Sequence, residues 1–525
     1  MKQKLVIAIV SMSCFLFARL FAQELDNKLM PKFLKAEDFF DAGNYLSAIP
    51  LYKDVLSKAP HNKFVMAKLA VCYIKTRTNR DESVKLLEKL VETKDIDPKL
   101  WYYLGKAYHL TNKLDDAIAA YENYKTFKLK KKDLEDVNRQ IEMCKNAKQL
   151  MQYPSNVLFT NLGKEINTEF PEYYPFVDEK ENTLVFTSRR KNNIGGGRTE
   201  ADGYRPSDVW ISQVKNNVWD KPISAGRDIN TSFDEMCVFL NLEGNTMLVY
   251  VDRGGDKYGD LYITSKLKDK NQFGKLKPLP PVINDPDKIE LSGCFNRDSS
   301  IYFFVRKDNL ESNSDIYVVK KLPNGQWGQP QKLPDQINTP YNEDFPYLAP
   351  DGVSFYFASD GHNSMGGFDI FKSVYDPETG RFTPAENLGY PINSTDDDMG
   401  ICFTKNKKIA YVSSYRPTGI GDLDIYRIKF MDEDQPTKIY RCRLFVKDTT
   451  QILKQSVMIV ATNKQTNEEY TFLSKSNGEF IMALQEGSYT ISIDADGYKP
   501  YRKDFNVSDI GNIEEENVSL ILQSD

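Results

Sequence analysis

The sequence is poor in the residues, and lacks the motifs, on which most hydrolytic and metal-dependent enzymes rely. Its 525 residues include only three histidines, His61, His109 and His362, and none has a visible nucleophile as a partner. There is no Gly-x-Ser-x-Gly turn, no His-Glu-x-x-His pair and no paired-cysteine zinc motif. We therefore predict a protein without enzymatic activity, bound metal or cofactor.

Charge and hydropathy exclude two further classes of protein. The formal net charge is -5, from 69 Lys and Arg against 74 Asp and Glu, which gives no electrostatic reason to expect nucleic acid as a partner. No segment after residue 22 is apolar enough to span a bilayer. What the chain does have is 30 Tyr and 30 Phe, which favour β-structure because aromatic side chains fill half-buried pleated faces.

The first residues have the pattern of a secretion signal. Two lysines precede an apolar stretch from Leu5 to Phe17, and Leu20-Phe21-Ala22 offers a cleavage site. We expect residues 1–22 to be a signal peptide that is cleaved after Ala22. A lipid-modified Cys14 is the less favoured alternative, because Ser11 stands where a lipoprotein signal usually has Leu.

Residues 31–151 have a helical pattern with a repeat of about 34 residues. The first copy has Ala36, Phe39, Ala48 and Tyr52, and the last copy has Gly105, Tyr108, Ala117 and Tyr121 at the same offsets. Ala70 and Tyr73 begin a middle copy. Small residues let the two helices of a repeat approach, and aromatics fill the space beside them. Residues 131–151 are predicted to form a helix that caps the last repeat. The pattern resembles the tetratricopeptide repeat, which implies a solenoid with a concave surface for partner proteins.

Residues 152–430 consist of short aromatic and β-branched runs separated by turn residues, with a second repeat of about 54 residues. One marker is Asp, an aliphatic residue and an aromatic, at Asp208-Val209-Trp210, Asp260-Leu261-Tyr262, Asp315-Ile316-Tyr317, Asp369-Ile370-Phe371 and Asp424-Ile425-Tyr426. The other is Ile-Asn, at Ile166-Asn167, Ile229-Asn230, Ile283-Asn284, Ile337-Asn338 and Ile392-Asn393. About four strands per repeat predict propeller blades.

The order of strands predicts five blades. Each repeat has three strands before a fourth, outer strand, for example residues 236–240, 247–251, 260–264 and 273–279. The last repeat ends after its third strand, and a lone outer-type strand at residues 156–161 precedes the first. The N-terminal strand can therefore complete the final blade, which leaves no sheet edge open.

Residues 438–523 form a third region of about seven alternating strands, which we predict to be a small β-sandwich. Gly478-Glu479-Phe480, Glu486-Gly487-Ser488-Tyr489 and Ala495-Asp496-Gly497-Tyr498 are turn signals between them. The expected fold is thus a helical solenoid, a five-bladed β-propeller and a transthyretin-like β-sandwich.

Six cysteines remain after the predicted cleavage: Cys72, Cys144, Cys237, Cys294, Cys402 and Cys442. An even number in an exported chain suggests disulfides. Three of them, however, occupy one equivalent position in different blades, where we expect small buried apolar residues.

Short motifs give both β-regions a family resemblance. Pro350-Asp351-Gly352, Ser359-Asp360, Gly366-Gly367 and Asp369-Ile370-Phe371 resemble the TolB-like, WD40-like propeller repeat. The Gly-x-Phe and Glu-Gly-x-Tyr turns of the last region resemble the carboxypeptidase regulatory-like domain. The order of the three regions is similar to a family of Bacteroidetes envelope proteins that includes the PorE-type subunit of the type IX secretion system.

The family resemblance implies a location and a partner. It implies a periplasmic protein associated with the outer membrane and a PorP/SprF-like β-barrel or secretion subunits as partners. Members of that family usually end in an OmpA-like domain that holds peptidoglycan. We find no such domain here, which puts direct peptidoglycan anchoring in doubt.

Five acidic residues are the candidate site: Glu172, Asp234, Glu290, Glu343 and Asp398. They stand at the start of the first strand of each blade, and if this strand lines the central channel they ring one mouth of it. Such a ring could bind a cation or a basic peptide. The alternative, which we favour, is that they cap turns and stay solvated. The Asp of the three-residue marker is expected to accept backbone N–H groups of the preceding turn.

The leading functional hypothesis is a non-catalytic scaffold for protein–protein interactions, in type IX secretion or envelope assembly. A propeller that binds glycans or peptides is one alternative. An enzyme that uses propeller loops is another, and no sequence feature requires it.

Overall fold

The structure is a computed structural model that describes residues 25–523 with short gaps. The gaps are residues 94–95, 196–198, 217, 253–258, 269–271, 417–418, 432–437, 448–451, 454–456, 476, 496 and 509–515. The predicted signal peptide and Cys14 lie outside the described residues.

The chain divides into two compact units. The first contains the described residues up to Thr111, Asp115–Asn138 and Thr199–Tyr204. The second contains Asn112–Leu114, Arg139–Arg198 and the described residues from Arg205 onwards.

Helices make up most of the described part of residues 30–150. The helices are α1 (Met30–Asp41), α2 (Tyr45–Lys58), α3 (Lys63–Thr76), α4 (Arg80–Val91), α5 (Lys99–Leu110), α6 (Leu114–Lys125) and α7 (Lys131–Leu150). Asparagine side chains start two of them: the Asn44 carboxamide accepts a hydrogen bond from Ser47 N at 3.0 Å and that of Asn62 accepts one from Val65 N at 3.0 Å. Each bond satisfies an N–H group that has no partner within the helix.

Small residues set the packing of the first unit, as the sequence predicted. The repeated alanines are fully buried: Ala36, Ala48, Ala70 and Ala117. At the equivalent Gly105, an added Cβ would lie 2.4 Å from Cε1 of Tyr121. Since Tyr121 is itself fully buried, its ring cannot move away without colliding with the residues packed around it, and only glycine fits there.

Five antiparallel sheets follow, within the described part of residues 152–431. The first contains β2 (Glu172–Val177), β3 (Thr183–Ser188), β4 (Asp208–Lys215), β5 (Val218–Trp219) and β6 (Ile223–Ser224). The second contains β7 (Asp234–Leu240), β8 (Thr246–Asp252), β9 (Asp260–Ser265) and β10 (Lys277–Pro278). The third contains β11 (Ile289–Phe295), β12 (Ile301–Lys307), β13 (Asp315–Lys320) and β14 (Gln331–Lys332). The fourth contains β15 (Glu343–Leu348), β16 (Ser354–Ser359), β17 (Asp369–Val374) and β18 (Glu386–Asn387). The fifth contains β19 (Asp398–Phe403), β20 (Ile409–Ser414), β21 (Asp424–Phe430) and β1 (Val157–Asn161).

The first strands of the five sheets contact one another in a closed circuit. Strand β2 contacts β7, then β7 contacts β11, β11 contacts β15, β15 contacts β19, and β19 contacts β2. All five carry a register shift against their second strand. Such bulges bend a strand and increase its twist.

The fifth sheet joins the two ends of this region. Strand β1 pairs antiparallel with β21, from Val157 opposite Phe430 to Asn161 opposite Tyr426. This is the pairing that the sequence predicted for the N-terminal strand. The hydrogen bonds of β1 thus tie residues that lie far apart along the chain.

The outer strand of the second sheet is shorter than the sequence predicted. The outer strand predicted over residues 273–279 is only Lys277–Pro278, with an isolated bridge between Lys266 and Phe273. Pro278 and Pro280 have no N–H group to donate to a ladder. Short outer strands leave little edge for pairing with other chains.

Residues 438–523 form two further sheets. The strands are β22 (Lys438–Val446), β23 (Met458–Asn463), β24 (Glu469–Leu473), β25 (Glu479–Leu484), β26 (Gly487–Ile493), β27 (Tyr501–Val507) and β28 (Glu516–Leu522). One sheet has the order β25-β22-β28 and the other β24-β23-β26-β27. Both sheets contribute to one hydrophobic core, which also includes Leu158 of β1.

All six cysteines in the described residues are buried, and none of them is joined in a disulfide there. Cys237, Cys294 and Cys402 lie in β7, β11 and β19 and are at most 2% exposed. This confirms their predicted role as small apolar residues of the inner strands.

Leu158 holds β1 against the C-terminal core and gives the first prediction. We expect Leu158→Ala to lower the free energy of unfolding by about 2–5 kcal/mol, because the Leu158 side chain is 1% exposed and its truncation leaves a cavity in the core. The measurement is urea denaturation. Leu310, which is 73% exposed, is the control, and Leu310→Ala should change stability by about 0.5 kcal/mol or less. Equal effects of the two variants would contradict this role for Leu158.

Candidate functional site

The predicted acidic residues are mostly buried. Glu172, Glu290 and Glu343 are 0% exposed and Asp398 is 1% exposed, whereas Asp234 is half-buried. They therefore do not form a solvated ring. The alternative that we favoured is correct in one part and wrong in another: these carboxylates do cap turns, but the buried ones are not solvated.

Glu343 shows how the capping works. Its carboxylate accepts hydrogen bonds from Thr339 N at 2.9 Å, from Thr339 Oγ1 at 2.7 Å and from Ser359 Oγ at 2.7 Å. Matching contacts join Glu172 to Thr168 and Ser188, and Asp398 to Ser394 and Ser414. The acid thus fixes the turn before the first strand and the end of the second strand.

In the second sheet Glu235, and not Asp234, makes these contacts. Glu235 is fully buried and accepts a hydrogen bond from Thr231 N at 2.8 Å, with Thr231 Oγ1 as a second donor. Asp234 accepts from Ser207 N instead, at 2.8 Å. Neighbouring residues of a strand point to opposite faces, so a one-residue error exchanges the two roles.

A sequence signal for Glu235 was available. In four repeats a Thr or Ser follows the Asn of the Ile-Asn marker and the acid stands four residues later: Thr168 and Glu172, Thr231 and Glu235, Thr339 and Glu343, Ser394 and Asp398. The third repeat departs from this spacing, with Asp285 at the Thr position and Glu290 five residues after it.

Sequence reasoning missed a basic residue at the end of the second strand or just after it. Arg190 Nη2 lies 3.0 Å from Glu172 Oε1, and Arg306 Nε lies 2.7 Å from Glu290 Oε1. The basic side chains also contact the carbonyl oxygen of the marker isoleucine: Arg190 at 2.8 Å from Ile166, Arg306 at 2.9 Å from Ile283, Arg416 at 3.2 Å from Ile392 and His362 Nε2 at 2.8 Å from Ile337. Unequal loop lengths hide this equivalence in the sequence.

The two sequence markers bind each other. The Asn393 carboxamide accepts a hydrogen bond from Ile370 N at 2.8 Å and donates one to Ile370 O at 2.9 Å. The same pair of bonds joins Asn167 to Ile425, Asn230 to Val209, Asn284 to Leu261 and Asn338 to Ile316. Each asparagine thereby provides an acceptor for the N–H group of the middle residue of the Asp-aliphatic-aromatic marker, and shares the carbonyl oxygen of that residue with a backbone N–H group, such as Leu388 N for Ile370.

The marker aspartate behaves as predicted in three sheets. Asp208 accepts a hydrogen bond from Ile194 N, Asp369 from Met365 N and Asp424 from Ile420 N, at 2.7, 2.9 and 2.6 Å. In the third sheet Asp315 pairs with Lys332 Nζ at 2.7 Å. The marker aromatics lie beside the basic residues, with ring centroids 4.8 Å from Arg190 for Trp210, 5.6 Å from Arg306 for Tyr317 and 5.1 Å from the His362 ring for Phe371.

Burial shifts the proton affinity of these acids. Desolvation raises the pKa of Glu235, Glu290 and Glu343 to about 7 and that of Asp398 to about 6, although hydrogen-bond donors oppose the shift. Burial also raises the pKa of Glu172. A raised carboxyl pKa means that the folded state binds protons more tightly than the unfolded chain.

Glu343 gives a pH prediction. Between its ordinary pKa and about 7, the unfolded chain releases this proton first, so stability falls as pH rises through that window. We expect Glu343→Gln to remove this loss and to gain up to about 3 kcal/mol relative to the wild type between pH 5 and pH 8. Urea denaturation across that range is the measurement. Glu378→Gln, at an exposed turn, should follow the wild type, and a parallel course for Glu343→Gln would refute the assignment.

Helix α7 also makes contacts with the sheet region of the second unit that the sequence did not reveal. Within the second unit, Arg139 donates to the carbonyl oxygens of Asp360 at 2.6 Å, Gly361 at 2.7 Å and His362 at 3.1 Å. Its guanidinium also lies 4.7 Å from the ring centroid of Tyr341. Its side chain is only 6% exposed. The prediction of a helix that caps the repeats therefore omitted part of its contacts.

Arg139 should be needed to hold this loop. We expect Arg139→Ala to cost about 3 kcal/mol of stability or more, because three carbonyl groups lose a charged donor. Hydrogen exchange should show faster opening of residues 360–364, and urea denaturation should show the loss. Lys145→Ala, at an exposed position of the same helix, should leave both unchanged. Unaltered exchange in Arg139→Ala would count against the contact.

The remaining polar groups supply no recognisable catalytic set in the described residues. His109 is buried in α5, His61 is exposed, and His362 contacts a backbone carbonyl. Among the residues that the structure describes, no group of three or more His, Cys, Asp or Glu side chains could hold a metal ion. Likewise, none of the described helices is long and apolar enough to cross a membrane.

Comparisons with known proteins identify two segments. The tetratricopeptide repeat family matches residues 39–95, and the carboxypeptidase regulatory-like domain family matches residues 443–520. The chain therefore contains a helical repeat of the kind that mediates protein–protein interaction, followed by a region rich in β-sheets. No curated protein sequence matches the chain.

Several solved structures share a general likeness with the chain. They include a β-1,2-mannobiose phosphorylase from Listeria innocua, at 11% identity and a TM-score of 0.33, which covers 52% of this chain and 96% of its own. A glycosyl hydrolase from Bacteroides ovatus has 10% sequence identity and a TM-score of 0.31, and the match covers 50% of this chain and 84% of that protein's chain. The catalytic domain of an α-L-arabinofuranosidase from Coprinopsis cinerea has 8% sequence identity and a TM-score of 0.31, and the match covers 53% of this chain and 98% of that domain's chain. At these values the likeness carries no argument about activity.

Proposed function

We propose that this protein is a non-catalytic scaffold of the bacterial periplasm that holds partner proteins near the outer membrane. The observation that carries the proposal is the tetratricopeptide repeat at residues 39–95, because such solenoids present their surfaces to other proteins. The proposed partners are an outer-membrane β-barrel of the PorP/SprF type or subunits of a type IX secretion machine.

An aromatic surface on the first helices of two successive repeats supports partner binding. Lys68 Nζ of α3 lies 3.8 Å from the ring centroid of Phe40 and 5.2 Å from that of Phe64. The same ammonium group lies 3.0 Å from Glu37 Oε2. Phe40 and Phe64 are only half-buried. Rigid, partly exposed aromatics beside a fixed charge are the kind of residues that dominate protein interfaces.

The architecture that we propose for the second unit is a five-bladed propeller followed by a β-sandwich. The closed circuit of first strands from β2 to β19 and the pairing of β1 with β21 support five blades. The common core of the two C-terminal sheets supports the sandwich. A closed propeller has no long free edge, which suits a rigid platform.

The fate of the acidic residues supports a non-catalytic role. Glycoside-cleaving enzymes need two carboxyl groups that reach the substrate. Here Glu172, Glu343 and Asp398 are at most 1% exposed and bind the hydroxyl and N–H groups of their own turns. Carboxylates that are committed in this way serve the fold.

The test is in-cell photo-cross-linking with mass spectrometry of the products. A photoreactive phenylalanine at Phe64 should capture an outer-membrane β-barrel or secretion subunits. The same residue at Tyr153, which is 81% exposed outside the aromatic surface, is the matched control and should not enrich them. Recovery of the protein alone in the soluble periplasmic fraction would reject the scaffold and favour a ligand-binding propeller.

A further inference from the structure

The connection between α6 and α7 concentrates positive charge in a chain whose net charge is -5. We call residues 125–132 the basic turn. It contains five lysines: Lys125, Lys128, Lys130, Lys131 and Lys132. The last four have exposed side chains. The basic turn takes no part in the aromatic surface or in the contacts of the sheets described above.

Ion pairing accounts for only one of these lysines with a close contact, since Lys125 Nζ lies 3.1 Å from Glu122 Oε2. Lys131 Nζ lies 3.7 Å from Glu135 Oε1, but the two side chains are 90% and 65% exposed, so the pair contributes little. Lys128, Lys130 and Lys132 form no ion pair with any side chain that the structure describes. Their charge is therefore available to a ligand.

Helix stability does not account for them either. Lys130, Lys131 and Lys132 stand at the N-terminal end of α7, where the helix dipole carries partial positive charge. Only Asp133 offers an acidic group in that first turn. Cations at this end oppose the helix, so their position requires another explanation.

Two apolar side chains are exposed beside the lysines. Phe127 is 39% exposed and Leu134 is 41% exposed. The backbone fixes both positions, because Phe127 N donates to Tyr124 O at 3.2 Å and Leu134 N donates to Lys130 O at 3.0 Å. The basic turn thus presents unpaired ammonium groups together with an aromatic and an aliphatic side chain.

We propose that the basic turn is a docking site for an anionic membrane surface. Its lysines are complementary to phospholipid headgroups, while Phe127 and Leu134 can enter the interface between headgroups and acyl chains. An acidic polypeptide would bind the lysines but leave the two apolar groups in water, so a lipid surface accounts for more of the structure. The proposal deepens the proposed function by naming the surface on which the scaffold sits.

The test is co-sedimentation of the purified protein with vesicles of phosphatidylcholine, with and without phosphatidylglycerol, at low and physiological ionic strength. We expect binding that requires phosphatidylglycerol and weakens with salt. Lys128→Glu, Lys130→Glu and Lys132→Glu together should weaken it by about tenfold or more. The matched control is the triple variant Lys164→Glu, Lys221→Glu and Lys275→Glu, which changes the charge equally at exposed positions elsewhere and should bind like the wild type.

Phe127→Ser with Leu134→Ser tests the apolar part, and should weaken binding at physiological ionic strength. The proposal fails if phosphatidylglycerol gives no binding, or if the two triple variants weaken it equally. If soluble polyglutamate displaces the protein and the serine variant binds normally, the basic turn is a site for an acidic polypeptide instead. Vesicle binding needs no protein partner, so its failure is distinguishable from a failure to cross-link partners at Phe64.

Discussion

The carboxamide of each Ile-Asn marker binds the backbone N–H and C=O groups of one residue in the third strand of a sheet, the middle residue of the Asp-aliphatic-aromatic marker. In the junction between the fourth and fifth sheets, Asn393 both accepts from and donates to Ile370 at 2.8 and 2.9 Å. A buried N–H or C=O group that loses its partner costs about 1–3 kcal/mol, so each junction depends on this side chain. The same contact recurs at all five junctions, including that of Asn167 with Ile425, which joins the two ends of the sheet region.

The buried carboxylates illustrate a cost that the fold accepts for specificity. Taking a carboxylate out of water is unfavourable even when a cation is near, and the pKa of Glu343 at about 7 reflects that cost. In return, Glu343 binds Thr339 and Ser359 and so fixes the turn against the end of the second strand. These contacts favour one register, since a slip of one residue would take the Glu343 carboxylate away from both hydroxyl groups.

The fourth sheet differs from the others in a way that involves α7. It has His362 where the first, third and fifth sheets have arginine, and His362 Nε2 donates a hydrogen bond to Ile337 O at 2.8 Å. Burial lowers the pKa of His362, so it supplies little positive charge to the loop. Arg139 provides a guanidinium to the same loop from outside. A single helix thus carries this internal contact near its middle and the basic turn at its start.

The sequence by itself determined the repeats and the residues that must be small or apolar. The offsets that place Gly105 opposite Tyr121, and the recurrent cysteines of the inner strands, are local patterns whose physical cause is close packing. Such patterns predicted the helical region, the four-stranded repeats and the pairing of β1, because they depend on spacing along the chain.

Only the tertiary structure decided which polar groups meet. The choice of Glu235 over Asp234 depends on the face of one strand, and the contacts of Arg190 and Arg139 cross loops of unequal length. The acids at the inner strands therefore look alike in the sequence whether they are solvated or buried. The burial of a carboxylate depends on the residues that the fold packs around it. The position of the carboxylate in the chain does not reveal which residues these are.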